Sequence, residues 1–154
     1  MSTQQLEQTY ELGVYPRRDI VLVRGSGARL FDENDREYID CAANVGVSNI
    51  GHGNATVARA LHDQYLPLGN CYSLFYSPVR AQLAEKLASI APGSLDKVFF
   101  CNSGAEATEA AIKFARASTG RQEIIAAMRG FHGKTMGALA ATWGPEYQKP
   151  FAPM

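Results

Sequence analysis

The stretch FFCNSGAEATEAAIKF, residues 99–114, sets a short apolar run, a turn of small residues and a helical pattern end to end. With Asp96 to Val98 before them, Phe99-Phe100-Cys101 read as a buried strand, a continuous apolar run of strand length that ends at turn residues. From Ala105 to Thr119 the composition is dominated by strong helix formers, and Glu109 and Lys113 stand at i,i+4 as a surface pair. Ser103 followed by Glu106 has the spacing of a capping box, in which two side chains satisfy backbone donors at a helix start. Gly104 and Ala105 lie between them. Their lack of bulk leaves the first N–H groups of the helix open to an anion, and the aligned peptide dipoles add positive partial charge there. Strand, small-residue turn and helix N-terminus together make a phosphate cup at the carboxyl end of a strand.

Downstream, EIIAAM (123–128) reads as a second buried strand, so strand, helix and strand follow in order as a βαβ unit of a parallel sheet. The Gly-rich turn Met128 to Thr135 comes next and is placed on the same sheet edge as Ser103-Gly104-Ala105. Phe131, between glycines at that edge, either stacks on a planar heterocycle beside the phosphate cup or is a partly buried turn residue. Two nucleotide motifs fail. Gly133-Lys134-Thr135 resembles the end of a P-loop, but the required first glycine is Met128; Gly25-Ser26-Gly27 opens like a dinucleotide fingerprint, but Leu30 stands at the third glycine and a strand follows. A phosphate cup without a nucleotide motif points to another phosphorylated cofactor.

Upstream, the chain is expected to be a polar tail to about Tyr15-Pro16. Three short β-leaning runs follow (19–25, 28–32 and 37–41), separated by turn-forming groups and read as a β-meander. The stretch GVSNIGHGN (46–54) is a loop. Asn54 caps a helix with Val57, Leu61 and Tyr65 on one stripe, stopped by Pro67 and Gly69. Ser77-Pro78 starts another, with Val79, Leu83, Leu87 and Ile90 as its packing stripe and Pro92-Gly93 as its stop. The division is residues 1–52 as tail and meander and 53–154 as the first part of a larger α/β domain. Two parallel strands do not make a stable covered sheet, so the chain is expected to be the N-terminal portion of something longer.

Fifteen Lys plus Arg balance fifteen Asp plus Glu, so no net field draws the protein to nucleic acid or an anionic membrane. A small-molecule partner is the default. Cys41, Cys71 and Cys101 leave one unpaired in any disulfide scheme and form no C-x-x-C pair, which reads as reduced, cytoplasmic and without a metal. The N-terminus lacks an apolar export segment, and no run approaches the roughly 18 apolar residues of a membrane span.

NSGAEATEAAIKFAR (102–116) followed by GFHGKTMGALAAT (130–142) resembles the fold-type I, pyridoxal-phosphate-dependent class III aminotransferases, and residues 23–54 resemble their N-terminal segment. The resemblance runs from about Val14 onward. It is nearest to the acetylornithine branch and to related enzymes acting on lysine or ornithine precursors linked to an amino-group carrier protein, with residues 113–151 favouring the latter. The resemblance implies an α/β fold with a mainly parallel large domain, pyridoxal 5′-phosphate as cofactor, an amino acid or carrier-linked semialdehyde as substrate, and a homodimer. The Val45 to Asn54 loop is then the place for a subunit contact. Ser103, Gly104 and Ala105 match the phosphate-binding turn, Phe131 the ring-stacking aromatic, and His132 the pocket wall beside it. Lys134 stands where the acetylornithine branch usually has an arginine for the substrate carboxylate. It keeps the charge without the bidentate fork.

The family's Schiff-base lysine and its ring-nitrogen aspartate belong to motifs that nothing in these 154 residues matches, so the chain alone is expected to be inactive. Lys86 and Lys113 are solvated helix positions, Lys97 precedes a strand and Lys149 lies in the tail. Two other readings stand beside the main one. Another class III aminotransferase, acting on ω-amino acids, GABA or glutamate-1-semialdehyde, would share the phosphate and stacking residues; a non-catalytic protein would bind a phosphorylated ligand or pair through an open sheet edge.

Overall fold

The computed structural model describes residues 1–153. They form two compact units, one from Met1 to Phe75 and one from Tyr76 onward.

The first unit begins with a helix, α1 (Thr3–Tyr10), where a polar tail was expected. The signal was present as Ser2-x-x-Gln5: Ser2 Oγ accepts from Gln5 N–H at 3.2 Å and Gln5 Oε1 accepts from Ser2 N–H at 2.8 Å. Arg17 then folds back to pair with Glu7 and Glu11. The expected meander is present as β1 (Leu22–Ser26), β2 (Arg29–Asp32) and β3 (Glu37–Ile39), antiparallel in chain order. Asp32 organises the second turn. Its carboxylate accepts from Asn34 N–H, Arg36 N–H and, at 2.8 Å, the Tyr38 hydroxyl. The Tyr38 bond is the main reason that the Asp32 carboxyl titrates below, and the Tyr38 phenol above, its ordinary range.

The Gly-rich loop after β3 closes on the first hairpin: Gly27 and His52 exchange both backbone hydrogen bonds at 2.9 Å. The approach requires glycine, since a Cβ on Gly25 would stand 2.7 Å from the His52 Cβ. Asp40 completes the closure. It lies 2.7 Å from His52 Nε2 and accepts from the Ala42 and Ala43 N–H groups, contacts that hold its carboxyl below the ordinary range, His52 foremost. Those N–H groups open a left-handed turn, α2 (Ala43–Gly46), in which Ala43, Asn44 and Val45 take φ of 45°, 51° and 56°. Each non-glycine residue there costs roughly 1–2 kcal/mol, so the turn needs its carboxylate anchor. α3 (Ala55–Leu68) starts at Asn54, whose side chain accepts from Thr56 and Val57 N–H. It runs through Pro67, expected as its stop, and ends at Gly69. Proline in the last turn removes only one late donor, and Gln64 Nε2 donates to the Leu68 carbonyl at 2.9 Å.

The second unit contains α4 (Pro78–Ile90), α5 (Gly104–Thr119), α6 (Met136–Ala141), α7 (Pro145–Gln148) and a 3-10 turn at Lys149–Phe151. Pro78 in the first turn of α4 and Gly120 after α5, at φ 70°, stand where helix-boundary chemistry requires them. The segments 96–102 and 123–128, expected as parallel strands, belong to no ladder among the described residues, whose one sheet is the antiparallel meander. A strand exists through its neighbour, and neither segment has one there. The segment before α5 is still held against it: Phe99 and Phe114 meet edge to face, with ring centroids 5.8 Å apart. The expected packing stripe of α4 is open, with Val79, Leu83 and Ile90 between 48% and 66% exposed. Among the described residues of this unit, the buried ones other than glycine, Ala138, Leu139 and Thr142, lie in and just after α6.

Candidate active site

The start of α5 is capped as the sequence indicated, with one change of partner. Ser103 Oγ accepts from Glu106 N–H at 3.2 Å, while the Glu106 carboxylate reaches Asn102 N–H instead of that of Ser103. The N–H groups of Ser103, Gly104 and Ala105 donate to nothing among the described residues. Three successive donors at the positive end of a 16-residue helix suit an anion.

The second turn converges on the first. Gly104, Ala105, Phe131, His132 and Lys134 line one cavity of about 460 Å³ together with Thr108 and Gly133, while Ser103 stands outside its lining. Phe131 keeps 68% of its surface exposed, so its ring is available for stacking, and Lys134 Nζ stands 5.9 Å from that ring's centroid. Gly133 explains how two turns come so close. It has φ 142°, and a Cβ there would lie 2.7 Å from the Ala105 Cβ and 2.9 Å from that of Ala138.

Sequence reasoning missed the residues that hold this arrangement. The backbone of His132 is pinned on both sides: its N–H donates to Thr142 Oγ1 at 2.9 Å, and its carbonyl accepts from Thr108 Oγ1 at 3.0 Å. Thr142 is 2% exposed, and its hydroxyl also lies 3.0 Å from the Ala138 carbonyl. Glu109, read from the sequence as the surface partner of Lys113, turns to α6. Its Oε1 accepts from the Thr135 hydroxyl at 2.6 Å, Gly137 N–H at 2.9 Å and Ala138 N–H at 3.1 Å. These donors, Thr135 first, hold the Glu109 carboxyl below its ordinary range, and Lys113 adds only its charge. The available signal was spacing: Thr108 and Glu109 stand three and four positions beyond Ala105 and share its helix face. Thr142 carried none, because the partners that tie it to the turn, His132 N–H and the Gly133 carbonyl, lie in a loop about ten residues away.

A pyridoxal-phosphate-sized ligand fits this geometry, with free N–H donors and a helix dipole for a phosphate, an exposed aromatic face for a ring, and a concave space of ordinary ligand size. Among the described residues no cluster suits a metal, and no helix is long and apolar enough to cross a membrane.

The acetylornithine aminotransferase of Methanopyrus kandleri is 46% identical over the whole chain, which covers 40% of that protein. The [LysW]-aminoadipate semialdehyde transaminase of Deinococcus radiodurans is 44% identical over 94% of the chain, covering 34% of its own length. Among solved structures, the omega transaminase from Pseudomonas jessenii in complex with PMP superposes with a TM-score of 0.89 at 26% identity, over 100% of this chain and 38% of that one. The chain thus spans about two fifths or less of the relatives it matches. The family model described as aminotransferase class-III matches residues 13–154, and the chain belongs to that family.

Proposed function

We propose that this chain supplies the phosphate cup and ring-stacking side of a pyridoxal-phosphate-dependent aminotransferase. The proposed reaction moves an amino group between an amino acid, of the glutamate and 2-oxoglutarate pair, and the terminal semialdehyde of an N-blocked or carrier-linked ornithine or lysine precursor. The observation that carries the site is the meeting of Gly104 and Ala105, of the first turn, with Phe131 to Lys134, of the second, at one cavity. The observation that favours this substrate class over an ω-amino acid is identity: 46% to an acetylornithine aminotransferase and 44% to a [LysW]-aminoadipate semialdehyde transaminase, against 26% and 32% to two omega transaminases. Residues 1–52 and 53–154 are proposed as the N-terminal segment and the start of the cofactor-binding domain of a cytoplasmic homodimer, with the Val45 to Asn54 loop as its subunit contact.

When bound, pyridoxal phosphate supplies an aldehyde and an electron-accepting ring. The residues of this chain bind and orient. The N–H groups of Ser103, Gly104 and Ala105 hold the phosphate dianion, and the Ser103 hydroxyl, already capping α5, keeps them aimed. Phe131 covers one ring face. His132, with its backbone fixed by Thr108 and Thr142, walls the cavity and excludes water. Lys134 faces the substrate carboxylate as a point charge, which attracts it without imposing the planar geometry that an arginine would. Lys134 is the lysine that lines this cavity, and with it assigned to substrate, the 154-residue chain is expected to bind cofactor without turnover.

Calorimetric titration of the 154-residue chain with pyridoxal 5′-phosphate and with inorganic phosphate tests the reading. Both are expected to bind and to compete. Phe131→Ala is expected to weaken the pyridoxal phosphate at least tenfold and leave inorganic phosphate within twofold. Binding of pyridoxal phosphate that inorganic phosphate does not displace, or that Phe131→Ala does not change, would overturn the assignment.

A further inference from the structure

The clasp between α5 and α6 suggests a role that the phosphate cup and the stacking ring do not explain. Glu109 is not one of the residues lining the cavity, yet a single carboxylate oxygen gathers the Thr135 hydroxyl and two N–H groups at the start of α6. Phe131 to Lys134 is the segment immediately before those donors. Its far side is tied to the end of α6 through His132 N–H and Thr142 Oγ1. The segment is therefore suspended between two anchors on α6, and α6 is anchored to α5 through Glu109. A Cβ on Gly137 would lie 2.3 Å from Glu109 Oε2, so the carboxylate sits directly against the α6 backbone.

We propose that Glu109 is a positioning residue: by fixing the start of α6 to α5, it sets the distance between the phosphate-facing N–H groups and the Phe131 ring. The ligand part of this inference rests on the function proposed above; the geometric part does not. Phosphate and ring are two ends of one rigid ligand, so a loop displaced from α5 spoils simultaneous contact and leaves the phosphate contacts intact. Electrostatics predicts the opposite sign. Removing a carboxylate from the α5 side takes away a negative charge and favours an incoming dianion.

Glu109→Ala is therefore expected to weaken pyridoxal 5′-phosphate binding to the 154-residue chain about tenfold or more, while inorganic phosphate binds equally or more tightly. Glu109→Gln keeps an acceptor oxygen at the same place and is expected to stay within threefold of the wild type for both. Thr135→Val removes one of three donors and should fall between. Equal losses for both ligands in Glu109→Ala, or no loss for either, would overturn the proposal. Hydrogen exchange provides the second readout, at the His132 amide, which bonds Thr142 and not Glu109. Glu109→Ala is expected to raise its exchange at least tenfold with α4 amides unchanged, and Glu109→Gln to restore it. If the wild-type chain bound no pyridoxal phosphate, the functional reading would fail and exchange at His132 would still decide the role of Glu109; unchanged exchange there would refute it.

Discussion

Replacing Gly133 with alanine tests the closeness of the two turns directly. The new Cβ would meet the Ala105 Cβ at 2.7 Å, the Ala138 Cβ at 2.9 Å and the Ala105 Cα at 3.0 Å, in a backbone with φ 142°. Two costs combine. An L side chain in such a sparsely populated conformation costs about 1–3 kcal/mol. Adding a methyl where it must displace packed neighbours costs about 1–3 kcal/mol more. Gly93 separates the two, because it has φ 62° and nothing within 4 Å of a Cβ, so Gly93→Ala bears the backbone cost alone. That control should lose about 1–2 kcal/mol, the price of a left-handed alanine. Native-state hydrogen exchange at the His132 and Leu139 amides, both hydrogen-bonded within this cluster, reads the opening free energy of the junction. Gly133→Ala is expected to reduce it by about 2–6 kcal/mol or abolish protection altogether. Ala105→Gly in the same chain removes the nearest contact and leaves those to the Ala138 Cβ and to the Cα at position 105, so recovery should be partial. A loss at these amides no larger in Gly133→Ala than in Gly93→Ala would mean that the turns are not in contact, and the shared cavity would fall with them.

Thr142→Val removes the hydroxyl that His132 N–H needs and should cost about 1–3 kcal/mol, the cost of an orphaned donor. Thr142→Ser gives up only a methyl, about 0.8 kcal/mol, so the order of thermal or exchange stability should be wild type, Ser, Val. In the first unit, Asp40 and Asp32 titrate below their ordinary range, so their stabilisation is complete above the ordinary carboxylate value and disappears as pH falls through the depressed one. Protection of the Ala42 and Ala43 amides, taken relative to their intrinsic exchange at each pH, should fall over that acidic interval, Asp40→Asn should abolish that dependence, and the Asn34 and Arg36 amides should keep theirs through Asp32. Lys134→Arg in the full-length enzyme is expected to lower KM for a carboxylate-bearing acceptor by about tenfold through a bidentate contact, with kcat within threefold. An unchanged KM would remove Lys134 from the substrate side.

Much of the fold was readable because its causes are local. The meander follows from short β-leaning runs and their turns, α3 from Asn54, α5 from Ser103, and α4 from Pro78 in its first turn, although the Ser77 side chain makes no capping bond there. The small helix α1 escaped although its Ser2 and Gln5 box was in plain view, because the polar composition around it suggested a tail. The left-handed turn at Ala43 was not readable, since alanine and valine disfavour that conformation, a lone asparagine that tolerates it does not specify a turn, and the turn exists through Asp40 and His52.

The same division holds at the candidate site. The sequence alone indicated the helix-start chemistry, because small residues there expose N–H groups whatever lies further away, and it left Phe131 as either a stacking ring or a partly buried turn residue; the exposure of that ring came from the structure. Only the tertiary structure decided that the two turns share one cavity and that Thr108, Glu109 and Thr142 hold them there. Those contacts span from ten to nearly thirty residues, and a threonine or glutamate does not specify a partner at that distance until the backbone has brought one to it.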